Sequence, residues 1–167
     1  REVCLAGGIT TAVNVLLKST REESDMVCLA KILRDLSRAN EAPFKMLQEH
    51  AILSLVKLAH LEDAQLKHDV STTICNLATC KFATDIVQDG VIEAFFWLIL
   101  QDALAKTKPI FLEVSIALRY IAQNPRLIKY VATDEGRLIS VLTKLAKFDE
   151  SVEVQYNAAV IFYYCIK

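Results

Sequence analysis

Four stretches of the chain repeat one pattern of apolar and polar positions. "GGITTAVNVLL" from Gly7, "HAILSLVKLA" from His50, "GVIEAFFWLI" from Gly90 and "GRLISVLTKL" from Gly136 each carry apolar residues two, five, six and nine positions after the first residue. On a helix those positions share one wide stripe, so each stretch predicts a helix with a single buried face. Ile9, Ala12, Val13 and Leu16 form that face in the first stretch, and Ile92, Phe95, Phe96 and Ile99 in the third. The opening Gly or His marks a tight turn ahead of each helix, and His50 in that place suggests a turn that tolerates a side chain or a slightly opened helix junction. A second helical series follows: "VCLAKILRDLSRAN", "VSTTICNLATC", "EVSIALRYIAQN" and "NAAVIFYYCIK". Its matching positions Leu36, Leu77, Ile121 and Cys165 lie 41, 44 and 44 residues apart, and the turn positions lie 43, 40 and 46 apart. Short amphipathic pieces, "APFKMLQE", "KFATDIVQD" and "PRLIKYVATDE", precede the later turns. A repeat of this length built only from helical signals defines a helical solenoid.

Each unit therefore holds a short helix, a tight turn, a second helix and a longer third helix. This resembles the armadillo repeat, on the glycine turn and on the third-helix endings "LAKILRDLSRAN", "VSTTICNLAT" and "VSIALRYIAQN". The resemblance covers the chain as four units, 1–39, 40–79, 80–124 and 125–167. It implies an all-α fold, a right-handed α-solenoid of about four three-helix repeats. Two-helix HEAT repeats are the alternative, but they do not need the extra short helix and its glycine. Two departures stand out: His50 in place of Gly, and the long connection "QDALAKTKP" before a third helix that opens near Pro109, a good first-turn residue. Such a loop can carry partner-specific contacts. The chain starts inside a unit and "AAVIFYYCIK" has no polar capping face, so the array is expected to be part of a longer solenoid or to be covered at its ends by partners.

The run "VIEAFFWLIL" is ten residues long and contains Glu93, too short for a membrane span. As a second helix of the third unit it is greasy because it packs on both neighbouring units and on its own third helix. Trp97 is the exception, since its counterparts are Asn14, Lys57 and Thr143. It is either an exposed anchor or, as expected here, covered by the long connection.

Composition narrows the function classes. With 53% hydrophobic residues, the chain is not disordered. Nineteen basic and twenty acidic residues nearly cancel, so no overall field attracts nucleic acid or anionic lipid. Cys4, Cys28, Cys75, Cys80 and Cys165 show no CxxC spacing and read as buried free thiols of a reducing compartment. A cytoplasmic location is expected, with cytoskeletal or ciliary association and the nucleus left open.

No phosphate-binding glycine loop, GxSxG elbow, HExxH or CxxC is present, so no enzyme, cofactor or metal is expected. His68 and Cys75 share a helix face seven residues apart and could form a nucleophile with its base, yet their register gives both ordinary structural places. The acidic groups "REESD" and "LEDA" read as helix-start charges.

The resemblance implies that the third helices stack in parallel as a ladder along the concave side. Helical spacing then gives four outward rows: Lys31, Asp35 and Arg38; Thr72, Asn76 and Thr79; Ile116, Tyr120 and Gln123; Val160, Tyr164 and Lys167. Partner binding is assigned to Lys31, Asp35, Arg38, Thr72, Asn76, Thr79, Tyr120, Gln123 and Tyr164. Import receptors of the family carry Trp and Asn at the first and second row positions. Only Asn76 matches, which disfavours that function, and the rows lack the dense basic track of the catenin type. The plainer alternatives are a solvated charged face for the first row, tyrosines packed on the next unit, and an Asn76 that bonds its neighbour. The reading is a non-catalytic protein-interaction scaffold within a larger assembly, taking protein partners without nucleic acid, membrane insertion or a small molecule. The alternative is a regulatory solenoid controlling an attached or associated enzyme, hinted at by Arg34, Arg38 and Arg119.

Overall fold

The computed structural model describes residues 7–18, 23–39, 41–80, 86, 90–100, 108–131 and 135–166 of the chain. All regular structure among them is helical. The second helices of the units are α1 (Gly8–Lys18), α4 (Ala51–Ala59), α6 (Val91–Leu100) and α9 (Glu135–Ala146). The third helices are α2 (Glu23–Ser37), α5 (Ala64–Thr79), α7 (Lys108–Gln123) and α10 (Val152–Ile166). Two short first helices, α3 (Ala42–Gln48) and α8 (Pro125–Val131), match "APFKMLQE" and "PRLIKYV". The piece "KFATDIVQD" lies almost wholly outside the described residues.

Local chemistry sets the boundaries. Pro43 occupies the first turn of α3, where its missing N–H costs nothing. The Asp63 carboxylate caps α5 by accepting from the Leu66 N–H at 2.6 Å. Between α3 and α4, His50 sits at φ 56°, in the left-handed region, and Gly7 at φ 77° and Gly90 at φ 88° occupy the matching places before α1 and α6. A Cβ on Gly90 would meet Val56 Cγ2 at 3.8 Å, an ordinary contact, so backbone conformation rather than space explains that glycine. His50 adopts the same turn at a strain of about 1 kcal/mol. Gly136 differs: it lies inside the first turn of α9 and has no positive φ, so the fourth unit does not use it as the turn.

The third helices stack in chain order, α2 on α5, α5 on α7 and α7 on α10, and the second helices do likewise, α1 on α4, α4 on α6 and α6 on α9. The core lies between these two layers. Ile9, Ala12, Val13, Ile52, Leu55, Ala59, Ile92, Phe95 and Ile99 are buried, as the repeated stripe predicts. Val56 and Phe96 are partly buried against the same cluster. Each such side chain contributes roughly 1.5–3 kcal/mol on burial. The chain is a right-handed α-solenoid of about four three-helix units, and no described helix is long and apolar enough to cross a membrane.

Two expectations fail. Cys165 is exposed although Leu77 and Ile121, its counterparts, are buried, because no described element packs on that side of α10. The cysteines are not uniformly buried either: Cys28 and Cys165 are exposed and Cys75 and Cys80 are half-buried, all four as free thiols.

Candidate functional site

The ladder of third helices is joined by polar bonds between units. The Arg34 guanidinium on α2 reaches the buried Asp69 carboxylate on α5 at 2.5 Å, and Gln65 Nε2 donates to the same oxygen at 3.0 Å. Arg34 also donates to Asp35 at 2.9 Å. That bond raises the Arg34 pKa, with the Asp69 charge acting in the same direction and burial opposing both. One turn on, Asn76 Nδ2 donates to Ser37 Oγ at 2.8 Å.

Between α5 and α7 the Glu113 carboxylate accepts from Ser71 Oγ and, at 2.6 Å, from Thr72 Oγ1, with His68 Nδ1 at 3.7 Å. Between α7 and α10, Asn157 Nδ2 donates to Ser115 Oγ at 2.9 Å in a buried contact. The Ser71–Glu113 and Ser115–Asn157 pairs each span 42 residues, so they are one bond repeated with different chemistry.

These bonds fix the outward rows. Lys31, Asp35, Arg38, Thr79, Tyr120 and Gln123 are exposed on the ladder, whereas Asn76, Ile116, Val160 and Tyr164 are half-buried. Thr72 must be withdrawn from the accessible row: it is buried because Glu113 of the next unit lies over its hydroxyl. Asn76 spends one amide proton on Ser37, and Thr79 Oγ1 turns back to the Cys75 carbonyl at 3.0 Å. Tyr164 packs against the core with Tyr163 edge-on at 5.5 Å. Tyr120 stands out from the face, and the Arg119 guanidinium carbon lies 5.9 Å from its ring centroid. Lys167 falls outside the described residues.

The second-helix layer presents a separate edge. Glu93 meets His60 at 3.5 Å and Arg137 at 3.8 Å, and Arg137 also lies over the Phe96 ring. Trp97 is half-buried, tilted against His60 at 4.3 Å and edge-on to Phe96 at 5.6 Å. Its counterparts Asn14, Lys57 and Thr143 are all exposed. The expected covering connection falls on 101–107, outside the described residues.

Periodicity did not single out Lys67. This side chain has no accessible surface, and its ammonium donates to the Trp97 carbonyl at 3.3 Å in the last turn of α6, where the helix dipole is negative. Burial pushes its pKa down, and Glu62 pulls the other way. Lys67 thus ties the third helix of one unit to the second helix of the next.

The imagined nucleophile is poorly placed for catalysis. Burial, helped by the Glu113 charge, pushes the Cys75 thiol up to about 11, the reverse of an activated thiolate. No group of three or more metal-ligating side chains occurs among the described residues.

Solved structures of the same shape exist. A designed armadillo repeat protein in complex with the peptide (KR)4 superposes with a TM-score of 0.75 at 20% identity, over 98% of this chain and 66% of its own. A second designed armadillo repeat protein gives 0.72 at 21% identity, over 98% and 67%. One of a set computationally designed for modular peptide recognition gives 0.73 at 22%, over 93% and 63%. The chain spans about two thirds of these proteins or slightly less. No family model and no curated protein sequence matches it. The fold is the armadillo repeat fold, in which four units stack along one axis.

Proposed function

We propose that the chain is a non-catalytic scaffold whose third-helix ladder receives an extended or helical segment of a protein partner within a larger assembly. The carrying observation is that polar bonds join each third helix to the next while Tyr120, Gln123, Asp35, Lys31 and Arg38 stay exposed on the ladder. A face ordered before the partner arrives loses little entropy on binding, which favours recognition over chemistry. Tyr120 supplies a large, stiff anchor beside a cation, and the exposed Gln123 and half-buried Asn76 supply amide contacts to a main chain. Of the structurally similar designed proteins, one is a complex with the peptide (KR)4 and another was designed for modular peptide recognition, which supports a protein-binding reading. The free thiols of the described cysteines support a cytoplasmic site of action.

A photo-crosslinking residue at Tyr120, compared with one at Asn14 on the second-helix side, tests the reading in cells. Capture of one stoichiometric protein from position 120 and not from 14 is expected. Capture only from 14 moves the site to the other face, and crosslinks from 120 to a catalytic domain of the same protein make the chain a regulatory solenoid instead.

A further inference from the structure

Two arginines at matching places of the repeat are served differently by the rest of the chain. Arg34 on α2 corresponds to Arg119 on α7, as Leu36 does to Ile121. The Arg34 guanidinium is filled on both sides: Nη1 donates to the buried Asp69 of the next unit at 2.5 Å, while Nε and Nη2 donate to Asp35 Oδ1 at 3.1 and 2.9 Å. Asp69 lies inside the junction, whereas the Asp35 side chain is 55% exposed on the ladder.

At Arg119 both carboxylates are missing. Asn157 stands at the place of Asp69 and Tyr120 at that of Asp35. Arg119 forms no ion pair among the described residues, and its Nε is buried without a hydrogen-bond partner. Asn157 is wholly buried and gives its Nδ2 to Ser115 at 2.9 Å. The two ends of an amide point apart, so by the equivalence of the two junctions its unbonded Oδ1 is left on the Arg119 side. A donor and an acceptor shut away from water without partners are costly, and a ligand that fills both is favoured.

We propose that Arg119 is a carboxylate-binding site, in which an Asp or Glu side chain of the partner segment lies beside Tyr120 and takes the Nε and Nη2 edge as Asp35 takes that of Arg34. This names the chemistry of the partner and rests on the ladder being the binding face. The bound carboxylate turns the guanidinium so that Nη1 donates to Asn157 Oδ1, and both orphaned atoms are filled by one planar fork. The Tyr120 ring, 45% exposed and 5.9 Å from the guanidinium carbon, swings aside as the acid enters. The neighbouring row positions Ile116, Gln123, Val160 and Tyr164 are uncharged, so no acid of the ladder competes. Cys75 and Tyr163 stand at the place of the arginine in the second and fourth units, so the site asks for one acid at a fixed position rather than an acidic run.

The test measures, by fluorescence anisotropy, binding to the 167-residue chain of a labelled peptide alternating Glu with Ala and of its twin with Gln for Glu. The acidic peptide is expected to bind about tenfold more tightly, the discrimination that a charge-assisted double hydrogen bond gives. Arg119→Gln should erase the preference and Lys31→Gln should keep it. Tyr120→Asp, at an exposed position that does not threaten the fold, supplies the carboxylate from the chain itself and should also erase it, whereas Tyr120→Asn should lower both affinities alike. Equal binding of the two peptides, binding of neither, or a preference that survives Arg119→Gln overturns the proposal. The photo-crosslink at position 120 separates this failure from that of the ladder: capture that Arg119→Gln does not diminish keeps the binding face and removes the carboxylate site, and absence of any capture overturns both.

Discussion

The first and last junctions of the ladder join the same positions with different chemistry. At the first, α2 and α5 share the Arg34–Asp69 ion pair, whose carboxylate is wholly buried and also bonded to Gln65. At the last, Arg119 occupies the place of Arg34 and Asn157 that of Asp69, but no ion pair forms. Asn157 turns to Ser115, and its Oδ1 and the Arg119 Nε are both buried without a hydrogen-bond partner among the described residues. The helix packing is alike in the two places. Apolar contact therefore suffices to stack the units, and each of these two polar junctions leaves one buried oxygen unpaired among the described residues, Asp69 Oδ2 at the first and Asn157 Oδ1 at the last.

The comparison breaks most visibly at the charged end. Arg34→Met strands the Asp69 carboxylate, and urea unfolding should show a loss of about 3 kcal/mol. Adding Asp69→Leu should restore most of it, because a buried pair contributes little beyond an apolar replacement of similar size. If Arg34→Met is silent, the ion pair has no hold on the junction. At the neutral end, Asn157→Asp rebuilds the first junction's chemistry. A double-mutant cycle with Arg119→Met should reveal a coupling of about 1 kcal/mol, whereas zero coupling would mean that the two arginines are equivalent in sequence only.

The middle junction gives the smallest signal. The Lys67 proton is held less tightly in the folded chain than at its ordinary value near 10.5. The unfolded chain therefore binds more protons just below that pH, and stability should rise with pH through this window. Lys67→Met should remove that part of the slope, as seen by comparing urea midpoints at moderately and strongly alkaline pH.

The helices and their inward faces were legible because a stripe at two, five, six and nine positions reports which side of a helix avoids water, and Ile9, Ile52, Ile92 and Leu138 all obey it. Pairing across units leaves no such trace. Lys67 and Asp69 stand next to Leu66 and Val70 and read as ordinary surface charges, yet the neighbouring units bury both. Thr72 fails for the same reason: it points where the row predicts, but a carboxylate 41 residues away covers it. The equal 42-residue spacing of Ser71 with Glu113 and of Ser115 with Asn157 was the one available clue, visible only when polar residues are aligned in the repeat along with apolar ones. The outward residues Tyr120 and Gln123 were readable because no later unit covers them.

Because the third helices stack in chain order among the described residues, α2 on α5, α5 on α7 and α7 on α10, the ladder is mechanically a set of stiff bars joined in series. A load applied along it is carried undiminished by every joint, and the extensions of the joints add. The joint between α7 and α10 carries no ion pair, so stretching should open the Ser115–Asn157 contact before the Arg34–Asp69 clasp. Tension would then lengthen the spacing beside Tyr120 while leaving that beside Asp35 in place.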